Sequence, residues 1–214
     1  MLKPYVGAII QARLTSTRLP NKILLEINGK PILEHLVNRV QLAKKIDKVV
    51  IASPHSPECC LNEEIFIGSE NDVLDRYYQC AKKYGFDIIV RLTSDCPFIP
   101  PYEIDRVVNR LISKPSSHYA TNINGLNDRF GTPDGWDVEA FTYHALETSW
   151  KHAKEPIDRE HVTPYMKACA QFKPIYLEPL KLSIDTLEDY ERLKLFYSTE
   201  CLNYQIPLTY TERA

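Results

Sequence analysis

Short apolar runs alternate along the chain with longer stretches in which apolar residues recur every three or four positions. The first run, Val6–Ile10 (VGAII), suits a strand buried on both faces. Residues 11–22, QARLTSTRLPNK, are polar, basic and without period, and read as a loop. Asn28-Gly29 is a turn signal, and Pro31 suits the first position of a helix whose Ile32, Leu33, Leu36, Val37 and Val40 share one face. Lys48–Ala52 (KVVIA) predicts a second buried strand and Ile65–Ile67 a third, joined by a surface loop over Ser53–Glu64 that contains Pro54 and Pro57. Asn71 or Asp72 can cap a helix from Val73 to about Tyr84, where Gly85 is placed to end it. Asp87–Leu92 predicts a fourth strand. Pro101 then opens a helix with Ile104, Val107, Val108, Leu111 and Ile112 on its apolar face.

This alternation of strand and helix implies an α/β sandwich around a largely parallel sheet. The rhythm breaks after Lys114. Ser116–Gly135 is polar and aromatic, with Asn, Gly and Pro clustered. A strand is expected at Val138–Thr142, with helices near His144–Ala153 and Asp158–Cys169 and strands at Phe172–Leu177 and Lys181–Ile184. Thr186-Leu187-Glu188-Asp189 resembles a capping box for a last helix through about Tyr197. No composition shift marks a second domain. The expectation is one domain over 1–214, with an insertion at about 116–150 for substrate or subunit contacts.

Composition narrows the functional classes. Hydrophobic residues are 44% and charged residues 25%, values of a folded globular chain. The formal net charge of -2 gives no field for collecting nucleic acid or an anionic membrane. No apolar run approaches the ~18 residues of a membrane span, and the short apolar start is interrupted by Gln11 and Arg13; the expectation is a cytoplasmic protein with no membrane partner. The 7 glycines form neither G-x-G-x-x-G nor G-x-x-x-x-G-K-[ST], so two common phosphate-binding devices are absent. None of the 6 cysteines forms C-x-x-C or meets a histidine at zinc-like spacing, and free thiols are expected.

Three constellations can carry chemistry. The loop after the first strand holds Gln11, Arg13, Thr15, Ser16, Thr17, Arg18 and Lys22, and loops beyond the carboxyl ends of strands are where open α/β sheets bind ligands. Its cations suit a polyphosphate, arginine as a fork and lysine as a point charge; a solvated surface loop is the other reading. Arg91-Leu92-Thr93-Ser94-Asp95-Cys96-Pro97 puts a carboxylate directly after a strand, where it serves either a Mg²⁺ ion or the cap of the next turn. Leu182-Ser183-Ile184-Asp185-Thr186 repeats that pattern, with Thr186 already suited to the cap. Two strand-end carboxylates from distant parts of the chain could share one metal.

Together these pieces resemble one family. The run IIQARLTSTRLPNKILLEINGKPILEHLVNRV is similar to the amino-terminal signature of cytidylyltransferases that activate acidic sugars, among them CMP-3-deoxy-octulosonate and CMP-sialate synthetases. GSENDVLDRYYQCA, IVRLTSDCPFI, PDGWDVEAF, REHVTPYM and LSIDTLEDYERL resemble the SpsF-type, spore-coat polysaccharide branch. The likeness runs in order over nearly the whole chain. It implies a Rossmann-like, three-layer sandwich of the nucleotide-diphospho-sugar transferase type, with a mixed, mostly parallel sheet and an arm used in dimer contacts. It also implies that the first loop, Gln11, Ala12, Arg13, Ser16, Arg18 and Lys22, holds the triphosphate of CTP, that Gly68 and Ser69, with Glu70, help read the base, and that Asp95 and Asp185 bind Mg²⁺. Thr15 stands where many relatives carry glycine.

The expected reaction is transfer of CMP from CTP to an acidic sugar with release of pyrophosphate, in a homodimer, with Arg13, Lys22, Asp95 and Asp185 as the catalytic set. Polar candidates for the acceptor side are Asp134, Asp137, Glu139, Arg159 and His161. Arg159 suits a sugar carboxylate as a bidentate partner, or else a helix-surface pair with Glu155 or Glu160. Trp136 and Tyr119 suit a sugar face or the core. Two other functions stay open: a nucleotidyltransferase acting on a sugar 1-phosphate or phosphonate, and a non-catalytic nucleotide-binding protein of a polysaccharide assembly pathway. A glycosyltransferase would favour a D-x-D metal motif, which the chain lacks.

Overall fold

The first apolar run forms the middle strand of a sheet. β1 (Val6–Gln11) is flanked by two parallel neighbours, β4 (Lys48–Ser53) on one side and β6 (Ile88–Thr93) on the other. The computed structural model describes residues 3–13, 19, 21–57, 63–123 and 135–177. The chain divides after Pro179 into two units, Met1–Pro179 and Leu180–Ala214, and the fold described is that of the first.

After β1 comes a 3-10 turn at Lys22–Leu24, then a small hairpin of β2 (Glu26–Ile27) and β3 (Lys30–Pro31). Asn28 and Gly29 both take positive φ, +52° and +74°, the type I′ turn that an Asn-Gly pair favours. α1 (Ile32–Gln41) leads to β4; then follow β5 (Glu64–Ile67), α2 (Val73–Tyr84), β6 and α3 (Pro101–Ile112). The remaining elements are β7 (Tyr119–Thr121), β8 (Glu139–Thr142), α4 (Tyr143–His152), α5 (Pro156–His161), α6 (Pro164–Ala168), a 3-10 turn at Ala170–Phe172 and β9 (Ile175–Tyr176). The sheet order is β5-β4-β1-β6-β8-β7-β9, with only the pairs made by β8 antiparallel. This is the mixed, mostly parallel α/β sandwich expected from the sequence.

Alternation along the strands divides the core in two. Val6, Ala8, Ile10, Val90 and Leu92 pack with α1 and α3, while Ile9, Val50, Ile89 and Phe141 pack with α2, α4 and α6. Gly7 lets β1 pass the ring of Phe86, where an added Cβ would stand 2.3 Å from ring carbons. α2 begins and ends as the sequence predicts: the Asp75 backbone N–H donates to Asp72 Oδ1 at 2.9 Å, and Gly85 ends it at φ +70°.

The second half departs from the sequence reading in three places. Residues 119–121, for which the sequence predicts no element, are β7 in the main sheet, with Tyr119 fully buried. Such a short strand offers too little alternation to be read from a sequence. The single helix expected at 158–169 is α5 and α6, separated by Val162 at φ +70° and Thr163, because Pro164 cannot continue a helix. The strand expected at 172–177 is shortened to β9, because Phe172 closes a 3-10 turn and Lys173 takes φ +45°. Within 116–150, β7, β8 and α4 belong to the main sandwich. The elements expected over 181–197, with Asp185, lie outside the described residues.

Candidate active site

From β1 the chain crosses through α1 to β4 on one side, whereas β6 lies on β1's other flank. The carboxyl ends of β1 and β6 therefore diverge in their connections, the switch point at which such sheets bind ligands. The backbone is tied together there: the Ser94 N–H donates to Gln11 O at 3.1 Å and the Ala12 N–H to Ala52 O at 3.1 Å. The Cys96 N–H donates to Thr93 O, closing a turn that holds Asp95 just beyond β6.

Lys22 meets that carboxylate. Buried Ile23 anchors the 3-10 turn, and Lys22 Nζ lies 2.7 Å from Asp95 Oδ2. Burial works to raise the Asp95 pKa, but the Lys22 ammonium and the Thr93 hydroxyl outweigh it, and the carboxyl titrates below its ordinary range. Asp95 is half-exposed all the same, so an incoming group can still reach it.

A cavity of about 210 Å³ opens beside the pair. Gln11, Arg13, Lys22 and Asp95 line it together, so the first two constellations of the sequence do converge. His161 lines it as well, with Glu160, bringing the α5 end of REHVTPYM to the site. Val73, Arg91, Thr93 and Ser94 complete the wall. Of these, Arg91 was not singled out from the sequence, although a cation between Val90 and Leu92 in a buried strand is a signal for it. Ala12 is buried behind the loop. Ser16, Arg18, Asp134 and Asp185 lie outside the described residues.

The other candidates sit elsewhere. Gly68 and Ser69 form the approach to α2 and do not line the cavity: the Gly68 N–H donates to Ser53 O at 3.1 Å, and Ser69 Oγ accepts from the Asp72 N–H at 3.0 Å. Ser69 O accepts from Arg76, a buried cation whose pKa is lowered chiefly by burial and further by the charge of Arg13. Asp137 is exposed, ahead of β8, and is not part of the wall.

Two expected acceptor-side residues have structural partners. Arg159 pairs with Asp72, through Nε at 3.0 Å and through Nη2, and its Nη1 donates to Trp150 O at 3.0 Å. The surface pair foreseen with Glu155 or Glu160 is thus replaced by a clamp from α5 onto the cap of α2 and the end of α4. Glu139, expected to face an acceptor, is 2% exposed. Its place in β8, opposite Arg91 and Thr121, turns it inward. Its Oε2 accepts from Arg91, and its Oε1 accepts from the Tyr119 hydroxyl at 2.7 Å, Thr163 Oγ1 at 2.8 Å and Lys167 Nζ at 2.8 Å. Burial pushes its pKa up, but Arg91 and Lys167 dominate and hold it at about 2. Tyr119 is accordingly a core residue.

Among the described residues, no group of three His, Cys, Asp or Glu side chains gathers as a metal site, and no helix is long and apolar enough to cross a membrane. Mg²⁺ needs only one or two protein carboxylates when phosphate oxygens and water complete its shell, and Asp95 fits that donor chemistry.

The model of the cytidylyltransferase family matches residues 7–206. The chain belongs to this family. As a cytidylyltransferase it is a CTP-dependent nucleotidyltransferase. Among relatives, the uncharacterized protein MJ1063 of Methanocaldococcus jannaschii is 40% identical over 202 residues, 86% of this chain and 79% of that one. The spore coat polysaccharide biosynthesis protein SpsF of Bacillus subtilis is 32% identical over 211 residues, 88% of this chain and 85% of that one. A solved cytidylyltransferase from Leptospira borgpetersenii is 35% identical, with a TM-score of 0.72 over 91% of this chain and 87% of that one.

Proposed function

We propose that this cytidylyltransferase transfers CMP from CTP to an acidic sugar and releases pyrophosphate, and that Asp95 and Asp185 are the residues that would hold Mg²⁺. The observation that carries the reading is the convergence of Arg13 and Lys22 on Asp95 in one cavity at the switch point of the sheet. The likeness of the loop and strand-end motifs to acidic-sugar cytidylyltransferases supports the acceptor class, and the name of the SpsF relative supports a product used in polysaccharide assembly.

An acceptor hydroxyl oxygen forms a bond to the α-phosphorus as the bond from that phosphorus to the bridging oxygen of pyrophosphate breaks, and the hydroxyl proton passes to water. Arg13 and Lys22 hold the polyphosphate and neutralise charge developing on the leaving group. Lys22, paired with Asp95 before substrate binds, exchanges that carboxylate for phosphate oxygens. Asp95 is then free to hold an ion. When bound, Mg²⁺ supplies further positive charge at the phosphates and acidifies a nearby hydroxyl. Positioning supplies much of the rate, and no side-chain base is needed. Ser16 and Arg18 would extend the cationic loop, Gly68 and Ser69 would border the base, and a homodimer is the expected assembly.

Pyrophosphate release with each nucleoside triphosphate, Mg²⁺ and a panel of acidic sugars tests the reading. CTP should be preferred. Lys22→Ala should raise KM for CTP by roughly 10–100-fold, the loss of a charge-assisted contact worth about 1.4–2.8 kcal/mol. Asp95→Asn and Asp185→Asn should each lower kcat at least about 100-fold with little change in melting temperature. Full activity in both aspartate variants would remove the metal assignment, and a preference for ATP or GTP would overturn the base.

A further inference from the structure

Arg91 lies four residues before Asp95 in β6, on the face of the strand that carries Ile89 and Thr93. There it forms part of the cavity wall. One nitrogen of its fork is fixed, Nη1 donating to Glu139 Oε2. Glu139 has no capacity to spare: its other oxygen already accepts from Tyr119, Thr163 and Lys167. The cluster therefore holds two cations, Arg91 and the partly exposed Lys167, against one carboxylate.

Two residues of this wall each bury a polar atom that makes no hydrogen bond: Arg91 Nε and Gln11 Oε1. They come from adjacent strands, since Gln11 pairs in register with Thr93, two residues beyond Arg91. A buried donor or acceptor without a partner costs about 1–3 kcal/mol. Two of them beside a surplus positive charge, at one cavity, describe a site completed by a ligand that brings an anion and a hydroxyl.

The position of Arg91 separates that ligand group from the triphosphate. Arg13 and Lys22 come from the loop after β1; Lys22 meets Asp95 at the strand ends, and Arg13 lines the same cavity. Arg91 comes from within β6, before the strand end, and is held by Glu139 of the neighbouring β8; Glu160 and His161 of α5 line the same cavity. Arg159, the other cation considered for an acceptor, is bound to Asp72.

We propose that Arg91 binds the carboxylate of the acceptor, with Gln11 accepting from a neighbouring sugar hydroxyl and Glu139 acting as the positioning residue that fixes the Arg91 fork. This rests on the reading of the acceptor as an acidic sugar. Arg91 contacts the substrate; Glu139 acts through it.

The test measures pyrophosphate release with CTP and Mg²⁺ on 3-deoxy-manno-octulosonate and N-acetylneuraminate, each beside its C1 carboxamide, with CTP binding followed separately by calorimetry. The wild type should favour at least one acid over its amide by tenfold or more in kcat/KM. Arg91→Gln should raise KM for that acid at least tenfold more than it raises KM for the amide, and keep CTP affinity within twofold. Arg91→Lys should recover part of the preference. Glu139→Gln should raise KM for the acid less than Arg91→Gln does, with kcat retained. Should Arg91→Gln fail to fold, the double variant Arg91→Met, Glu139→Gln removes both charges and should show the same lost preference. An Arg91→Gln enzyme that still prefers the acid, or that loses CTP affinity by the same factor as acid affinity, overturns the proposal. So does a wild type that binds CTP yet treats acid and amide alike. A wild type that binds no CTP overturns the functional reading itself.

Discussion

A carboxylate sealed from water is stable only when its charge is answered at contact distance, and Glu139 meets that condition with four donors. Removing it leaves Arg91 nearly buried with a charge and no partner, the expensive way to break such a cluster. Glu139→Ala should therefore destabilise the protein by about 3–5 kcal/mol in urea unfolding. Glu139→Gln, which keeps the shape and some hydrogen bonds, should cost less. A loss of under about 1 kcal/mol for the alanine variant would mean that the cluster adds nothing to folding. The same reasoning applies in reverse to Cys80, whose thiol is pushed up to about 12 by burial and should resist alkylation at pH 8 in the folded protein.

Elements here are held in place by a few contacts that a sequence read locally does not contain. The clamp of Arg159 on Asp72 fastens α5 to the start of α2, and its Nη1 also satisfies the Trp150 carbonyl in the last turn of α4. Arg159→Ala should lower stability by about 1–3 kcal/mol, read as a fall in the urea midpoint. Val162 turns the chain between α5 and α6 in a left-handed conformation that a β-branched residue takes only under constraint. The Thr163 bond to Glu139 and the fully buried Val162 side chain supply that constraint. At the other end of β1, Gly7→Ala would drive a methyl into the Phe86 ring, which is itself buried. That overpacking should cost about 1–3 kcal/mol, and a neutral effect on melting would show that Phe86 can move aside.

Across the molecule, charge couples folding to pH in one direction. Glu139, Asp95 and Asp47 all titrate below their ordinary values in the folded state, Glu139 at about 2. Each was pushed up by burial and brought down by cations or hydrogen bonds: Arg91 and Lys167 for Glu139, Lys22 and Thr93 for Asp95, Lys3 and the Val6 N–H for Asp47. A group whose folded pKa is depressed contributes stability that is fully present above its unfolded pKa and is lost as pH falls through the folded one. Unfolding free energy should thus hold steady from neutral pH down to about 5 and fall from there toward pH 2, with Glu139→Gln flattening the lowest part of the curve. A wild-type profile unchanged between pH 5 and pH 2 would contradict the cluster's ionised state.

The sequence by itself determined the strands β1, β4 and β6, the helices α1 to α3 and a turn at Asn28-Gly29. These are set by hydrophobic period, caps and turn chemistry, which act over a few residues. It also placed Arg13 and Lys22 in the loop after β1 and Asp95 just past the end of β6, because polar residues that follow a buried run emerge at the strand ends. Tertiary structure alone decided that Glu139 faces inward, that Arg159 clamps Asp72 and that Arg91 lines the cavity. Those outcomes depend on which strands are neighbours: β8 lies antiparallel beside β6, so Glu139 meets Arg91 across a separation of 48 residues. No local pattern carries that pairing, since side-chain type reports burial on average and only the sheet order reports which partner is there to satisfy a buried charge.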